Sequence, residues 1–237
     1  MPPGKGAHPV VVVVHGGYWR ARYDRSLMEE LCLDLADRGL AAWNLEYRRV
    51  GSGGGWPETF EDVAAGVDAL ADLDTPLDLE RVAAVGHSAG GHLAFWAASR
   101  PTLPESSPGA RPRVRVGAAV SQAGVLDLRL AAQLAPSAEP THALLGDPEQ
   151  HPKRYELASP RDRVPLGIPQ LVLHGDRDGT VSIRIATSYA GAARAAGDQC
   201  EVAVLNGTGH FEHIDAGSPA WHVARDWLAV YASAARS

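Results

Sequence analysis

Ser88 stands in Gly86-His87-Ser88-Ala89-Gly90, directly after the apolar run Val82–Val85 and ahead of a helical pattern over Ala89–Ser99. That is the setting of the G-x-S-x-G turn, which holds a serine hydroxyl out as a nucleophile at the end of a strand. The turn strains the serine backbone and demands small residues two positions to either side, which Gly86 and Gly90 provide. The helix that follows leaves N–H groups unpartnered at its start, so the Ala89 N–H can donate to an oxyanion developing beside Ser88. A second donor is expected from His15-Gly16-Gly17-Tyr18-Trp19, which follows the run Val10–Val14. Its two glycines allow a sharp turn that aims the Gly17 N–H at the same point. The block also suits a plain strand-to-helix turn with two aromatics against the core. His15 reads as a side chain that fixes this loop rather than as a proton carrier.

A serine nucleophile needs a base, and the base an orienting carboxylate; after a strand-turn-helix serine they are expected in the chain order serine, acid, histidine. The run Gln170–Leu173 leads into His174-Gly175-Asp176-Arg177-Asp178-Gly179, which offers two carboxylates. Asp178 is favoured as the acid because it lies further out along the loop and Gly179 permits a tight return. Asp176 then reads as a turn acceptor for backbone N–H groups. His210, in Asn206-Gly207-Thr208-Gly209-His210-Phe211, is the candidate base. His213 is read as standing behind the site or on the surface, and His87 and His92 as packing or pocket-wall residues. His210 and His213 could be taken as metal ligands, but no further ligand cluster or H-E-x-x-H helix accompanies them, so neither metal nor cofactor is assigned.

Positioning these groups requires short β-rich runs alternating with amphipathic helices, the pattern of a mostly parallel sheet with helices on both faces. Strands are expected at Val10–Val14, Ala41–Glu46, Val82–Val85, Val116–Val120, Gln170–Leu173 and Glu201–Leu205. Helices are expected at Ser26–Arg38, Thr59–Leu73, Ala89–Ser99, Ile183–Ala196 and Ala220–Ala235. From Gly124 to Gly167 the alternation breaks; the stretch is rich in Pro and polar residues, with one short helical pattern around Leu126–Leu134. A connection this long in a compact domain is usually functional. Tyr18, Trp19 and Trp56, the last in the Gly-rich loop Gly51–Pro57, are candidate pocket walls.

The 237 residues suit one domain. Hydrophobic residues make up 45% and charged residues 21%, ordinary for a globular protein. Asp and Glu outnumber Lys and Arg by 28 to 22, which argues against a basic surface for nucleic acid. The longest apolar run, Val10–Val14, is too short to span a bilayer, and Met1–Gly6 lacks the apolar region of a signal peptide, so a cytoplasmic protein without membrane partners is expected. Cys32 and Cys200 are expected as separate thiols rather than a bridge.

Taken together, the blocks His15–Trp19, Gly86–Gly91, His174–Asp178 and Gly209–Phe211 resemble the single-domain esterase branch of the α/β-hydrolases. That branch is similar to the lipase and kynurenine formamidase group and to the catalytic domain of prolyl oligopeptidases. The resemblance covers nearly the whole chain and implies Ser88 as nucleophile, Asp178 as acid, His210 as base, and Gly17 and Ala89 as oxyanion donors. It also implies that Leu144–Tyr155 and Ala158–Pro160 belong to a short cap, the insertion of about residues 124–167, that shapes a substrate pocket. Only nine residues precede the first strand, whereas family members usually have two more strands before the His-Gly-Gly loop, so a cut-down sheet is expected. Its edge would then be Ala41–Glu46, covered by the N-terminal segment or by a second subunit in a homodimer.

The leading expectation is a carboxylesterase working on small esters through an acyl-serine. An arylformamidase or other small amide hydrolase is the nearest alternative, since formamidases share the His-Gly-Gly-Tyr-Trp block. A hydrolase-fold binding protein without catalysis is a different class; it would have no need to keep nucleophile, base, acid and both oxyanion elements together.

Overall fold

The structure is a computed structural model that describes residues 1–2, 6–134 and 139–234. Its centre is a six-stranded parallel sheet in the order β2-β1-β3-β4-β5-β6. The strands are β1 (His8–Val14), β2 (Ala41–Leu45), β3 (Leu77–His87), β4 (Ala118–Gln122), β5 (Gln170–Gly175) and β6 (Cys200–Leu205). Val10–Val14 are all buried, as a strand covered on both faces requires, which is why β1 reads as an unbroken valine run rather than an alternation. One face packs on α2 (Glu58–Asp68), α3 (Ala89–Ser99) and α7 (Ile183–Ala195) through Phe60, Val63, Leu93, Ile185 and Tyr189. The other packs on α1 (Glu29–Asp37) and α8 (Pro219–Ser233) through Leu31, Leu35, Trp221 and Leu228. Ser182 and Ser218 cap α7 and α8 by accepting the N–H of Arg184 and Trp221. This is the α/β-hydrolase architecture, and among the described residues β2 forms one edge of the sheet.

Register decides where the loops emerge. Val14 pairs with Gly86, His87 with Gln122, Gln122 with Leu173, and Gly175 with Leu205. The carboxyl ends of β1, β3, β5 and β6 therefore share one rim, where ligands of open parallel sheets bind. His15–Trp19, Ser88, Asp178 and His210 all lie in loops leaving that rim.

Several elements depart from expectation. The fourth strand begins at Ala118 rather than Val116, because the preceding chain is held otherwise: Arg113 and Val114 donate to Asp68, and Gly117 donates to the Val82 carbonyl. The stretch between β4 and β5 is not one loop with a single helix. It holds α4 (Leu128–Leu134), α5 (Glu139–Leu145), α6 (Pro152–Ala158) and a 3₁₀ turn at Pro160–Arg163. Seven residues make only two helical turns, too few to print a periodicity, and Pro152 and Pro160, which read as loop signals, stand at helix starts, where they are tolerated. The last helix ends at Ser233, and Ala235 lies outside the described residues. Cys32 is half-buried and Cys200 buried, both as free thiols. No helix among the described residues is long and apolar enough to cross a membrane.

Candidate active site

Ser88 sits between β3 and α3 with φ 55° and ψ −119°, a conformation an L-residue adopts only when its surroundings impose it. They do so through the backbone: the Ser88 N–H donates to the Gln122 carbonyl at 2.8 Å, and its carbonyl accepts the His92 N–H at 3.2 Å. The turn closes so tightly that a Cβ on Gly90 would lie 2.0 Å from the Val14 carbonyl oxygen. Ala89 is the first residue of α3, so its N–H has no partner within the helix.

The His15 loop lies against this turn. A Cβ on Gly16 would stand 2.7 Å from the His87 carbonyl oxygen and 3.2 Å from the Ser88 Cβ. Gly17 has φ +108°, and Tyr18 and Trp19 follow at 56° and 55°. Three successive left-handed residues need anchoring from outside. The His15 ring stacks on Tyr47 at 4.3 Å, the Tyr47 hydroxyl donates to the His15 carbonyl at 2.9 Å, and the Trp19 indole N–H donates to His92 Nδ1 at 3.1 Å. His92 Nε2 in turn lies 2.9 Å from the Ala158 carbonyl oxygen at the end of α6.

Of the two loop carboxylates, Asp178 is the one that reaches a histidine. Its Oδ2 lies 2.7 Å from His210 Nδ1, while Oδ1 accepts the N–H groups of Thr180 and Val181 at 2.8 and 2.9 Å. Burial raises the Asp178 carboxyl pKa, but His210 and the two N–H groups outweigh it and bring it to about 2. Asp176 instead accepts the Gly207 N–H at 2.7 Å and ties the acid loop to the histidine loop. The His210 ring is 4.5 Å from the ring of His87, the residue before Ser88, and the His210 carbonyl lies 2.8 Å from His87 Nε2. Burial lowers the pKa values of His87, His92 and His213 to about 3, 4 and 4, so these rings stay neutral near neutrality. His213 is fully buried, not at the surface, and its carbonyl accepts from Gln122 Nε2 at 2.7 Å.

A cavity of about 700 Å³ opens beside Asp178. Trp19, Val125, Leu134, Ile183 and Ile185 supply apolar wall, and Thr141, Ser182 and Asp176 polar wall. Tyr18 also lines it and is 42% exposed. Trp56 does not line it; its ring packs edge-on against Phe60 at 5.0 Å and belongs to the core behind α3. The wall is thus more aliphatic than the aromatic content of the loops suggests. Residues that sequence reasoning missed are Tyr47, Glu46 and Gln122, which hold the loops from neighbouring strand ends. Their signal is pairing between distant chain positions, which spacing does not carry.

The BD-FAE family model matches residues 1–190. Among curated proteins of Mycobacterium tuberculosis, "Probable carboxylic ester hydrolase LipM" is 31% identical over 195 residues, 78% of this chain and 44% of that protein. "Esterase LipC" from the same organism is 29% identical over 223 residues, 87% of this chain and 54% of that protein. The chain thus spans about half the length of these curated relatives. Among solved structures, a truncated carbohydrate esterase from gut microbiota superposes with a TM-score of 0.84 at 22% identity, over 98% of this chain and 88% of that one. A propionate-bound esterase, Est2 of Thermogutta terrifontis, superposes with a TM-score of 0.75 at 23% identity, over 98% of this chain and 87% of that one.

Proposed function

Because the chain belongs to the BD-FAE family, we propose that it is a serine carboxylic ester hydrolase acting on small esters through an acyl-Ser88 intermediate. The observation that carries this reading is the 2.7 Å bond between His210 and Asp178 beside a serine held at positive φ. In this reading Ser88 Oγ attacks the ester carbonyl while His210 Nε2 takes its proton. Asp178 holds the ring through Nδ1 and stabilises the imidazolium. The N–H groups of Gly17 and Ala89 receive the oxyanion. His210 then protonates the leaving alcohol, and a water activated by the same ring releases the acid.

The curated relatives are esterases by name, and Est2 has been solved with propionate and with butyrate bound. Small acyl groups fit the same chemistry here. The wall beside Asp178 is mostly apolar, so an unpaired charge placed against it would be costly. A fluorophosphonate probe tests the chemistry: labelling at Ser88, lost in Ser88→Ala, is expected, and an unlabelled native protein would point to a binding protein. A panel of aryl esters with acetyl, butyryl and octanoyl groups, run beside N-formylkynurenine, tests the substrate. We expect kcat/KM to be highest from acetyl to butyryl. An octanoyl optimum would remove the small-acyl claim, and a formamide preference above about a hundredfold, or about 3 kcal/mol of transition-state binding, would make the protein a formamidase.

A further inference from the structure

Both ring nitrogens of His15 face oxygen. Nδ1 lies 2.8 Å from the Gly16 carbonyl oxygen and Nε2 lies 3.0 Å from Glu46 Oε1. A carbonyl oxygen only accepts, so Nδ1 carries a proton, and a neutral imidazole has no second one to give. The state of Nε2 then depends on Glu46. That carboxylate accepts the N–H groups of Tyr47 and Arg25 at 3.0 and 3.1 Å, and the Arg49 guanidinium stands 3.4 Å from it. Burial raises the Glu46 pKa, but the two N–H groups and His15 outweigh it and the net direction is down. An ionised carboxylate cannot donate, so the proton between Glu46 and His15 belongs to Nε2.

Burial opposes this charge and is the largest influence on the His15 pKa, whose net direction is down; the Gly16 carbonyl and the Glu46 carboxylate pull it up and Arg49 pulls it down. The charged groups acting on the ring are Glu46, Arg49 and Asp24, with Tyr47 stacked on its face. Donor counting points the other way from burial, and it is geometric: a neutral ring, wholly buried, would leave two acceptors facing each other at 3.0 Å.

We propose that His15 is a buried imidazolium paired with Glu46, and that Glu46 is thereby a positioning residue for the oxyanion donor Gly17. The proposal rests on the reading of Gly17 as that donor. The link is covalent: the Gly16 carbonyl and the Gly17 N–H belong to one planar peptide, so fixing the oxygen fixes the direction of the N–H. A charged donor on the oxygen also polarises the peptide and strengthens its N–H.

Long-range proton–nitrogen spectra of the histidine rings in 15N-labelled protein read the charge directly. At about pH 7.5 one ring should carry protons on both nitrogens while an ordinary histidine is neutral, and in Glu46→Gln that ring should become neutral. Kinetics read the positioning. Glu46→Ala should lower kcat about tenfold with KM changed less than about twofold, a loss confined to the transition state. Glu46→Gln should recover most of it, because its amide can donate to a neutral Nε2, and wild-type kcat, unlike that of Glu46→Gln, should fall at alkaline pH as His15 loses its second proton. A neutral His15 in the wild type, or an unchanged kcat in Glu46→Ala, overturns the proposal. If Glu46→Ala does not fold, the wild-type spectrum and Glu46→Gln still decide. Failure of fluorophosphonate to label Ser88 would sink the hydrolase reading instead and leave the spectrum standing.

Discussion

Two residues apart on one loop, Asp176 and Asp178 do different work. Asp178 holds His210, while Asp176 accepts a backbone N–H from Gly207. Ser88→Ala and His210→Ala should each lower kcat by about 10⁴-fold or more, since such residues act as a unit. Asp178→Asn should cost a comparable or smaller factor, and Asp176→Asn much less. The reverse order in steady-state kinetics would reassign the acid. Asp178 also carries a stability prediction. Its folded pKa of about 2 lies below the ordinary carboxylate value. A depressed folded pKa means stability that is present above the unfolded pKa and is lost as pH falls through the folded one. Between about pH 4 and pH 2 the wild type should lose on the order of 2 kcal/mol that Asp178→Asn does not. Equal acid dependence in denaturant titrations of the two proteins would contradict this.

The elements differ in how plainly they declare themselves. The turn at Ser88 is dictated locally: a Cβ at Gly90 would meet the Val14 carbonyl oxygen at 2.0 Å. Gly90→Ala should therefore destabilise the fold by at least about 3 kcal/mol and abolish labelling of Ser88. A melting temperature within a few degrees of wild type would show that β1 and α3 can separate more easily than their packing implies. The helices α4, α5 and α6 were opaque in the sequence because seven-residue helices owe their form to what they pack on, and Tyr155 and Leu145 are buried. The edge strand is another matter of context. At the start of β1, His8 and Pro9 pair with Leu77 and Asp78 of β3, on the side of β1 opposite β2. A second copy is the cover proposed here, giving a concentration-dependent dimer in sedimentation with Ala41–Leu45 amides slow to exchange. A monomer with fast exchange along that strand would dispose of it.

Across the whole molecule, legibility follows sequence distance. Ser88, Asp178 and His210 could be picked out because each sits in a short motif at a strand end, and the parallel topology then gathers strand ends without further instruction. What holds those loops was hidden, since His15 meets Glu46 31 residues on and His92 meets Ala158 66 residues on, with nothing in either neighbourhood to announce the partner. Trp56 was misplaced for a different reason: an aromatic in a Gly-rich loop is as fit for the core as for a pocket, and Phe60 four residues on claims it. The contact from Trp19 through His92 to Ala158 crosses from the loop after β1 to the end of α6. Its indole proton, enclosed and pointed at an imidazole nitrogen, is a resonance set apart from bulk water. Any acid, ester or inhibitor that presses on α6 should move that signal before a single bond is broken, so the molecule would carry its own gauge of occupancy.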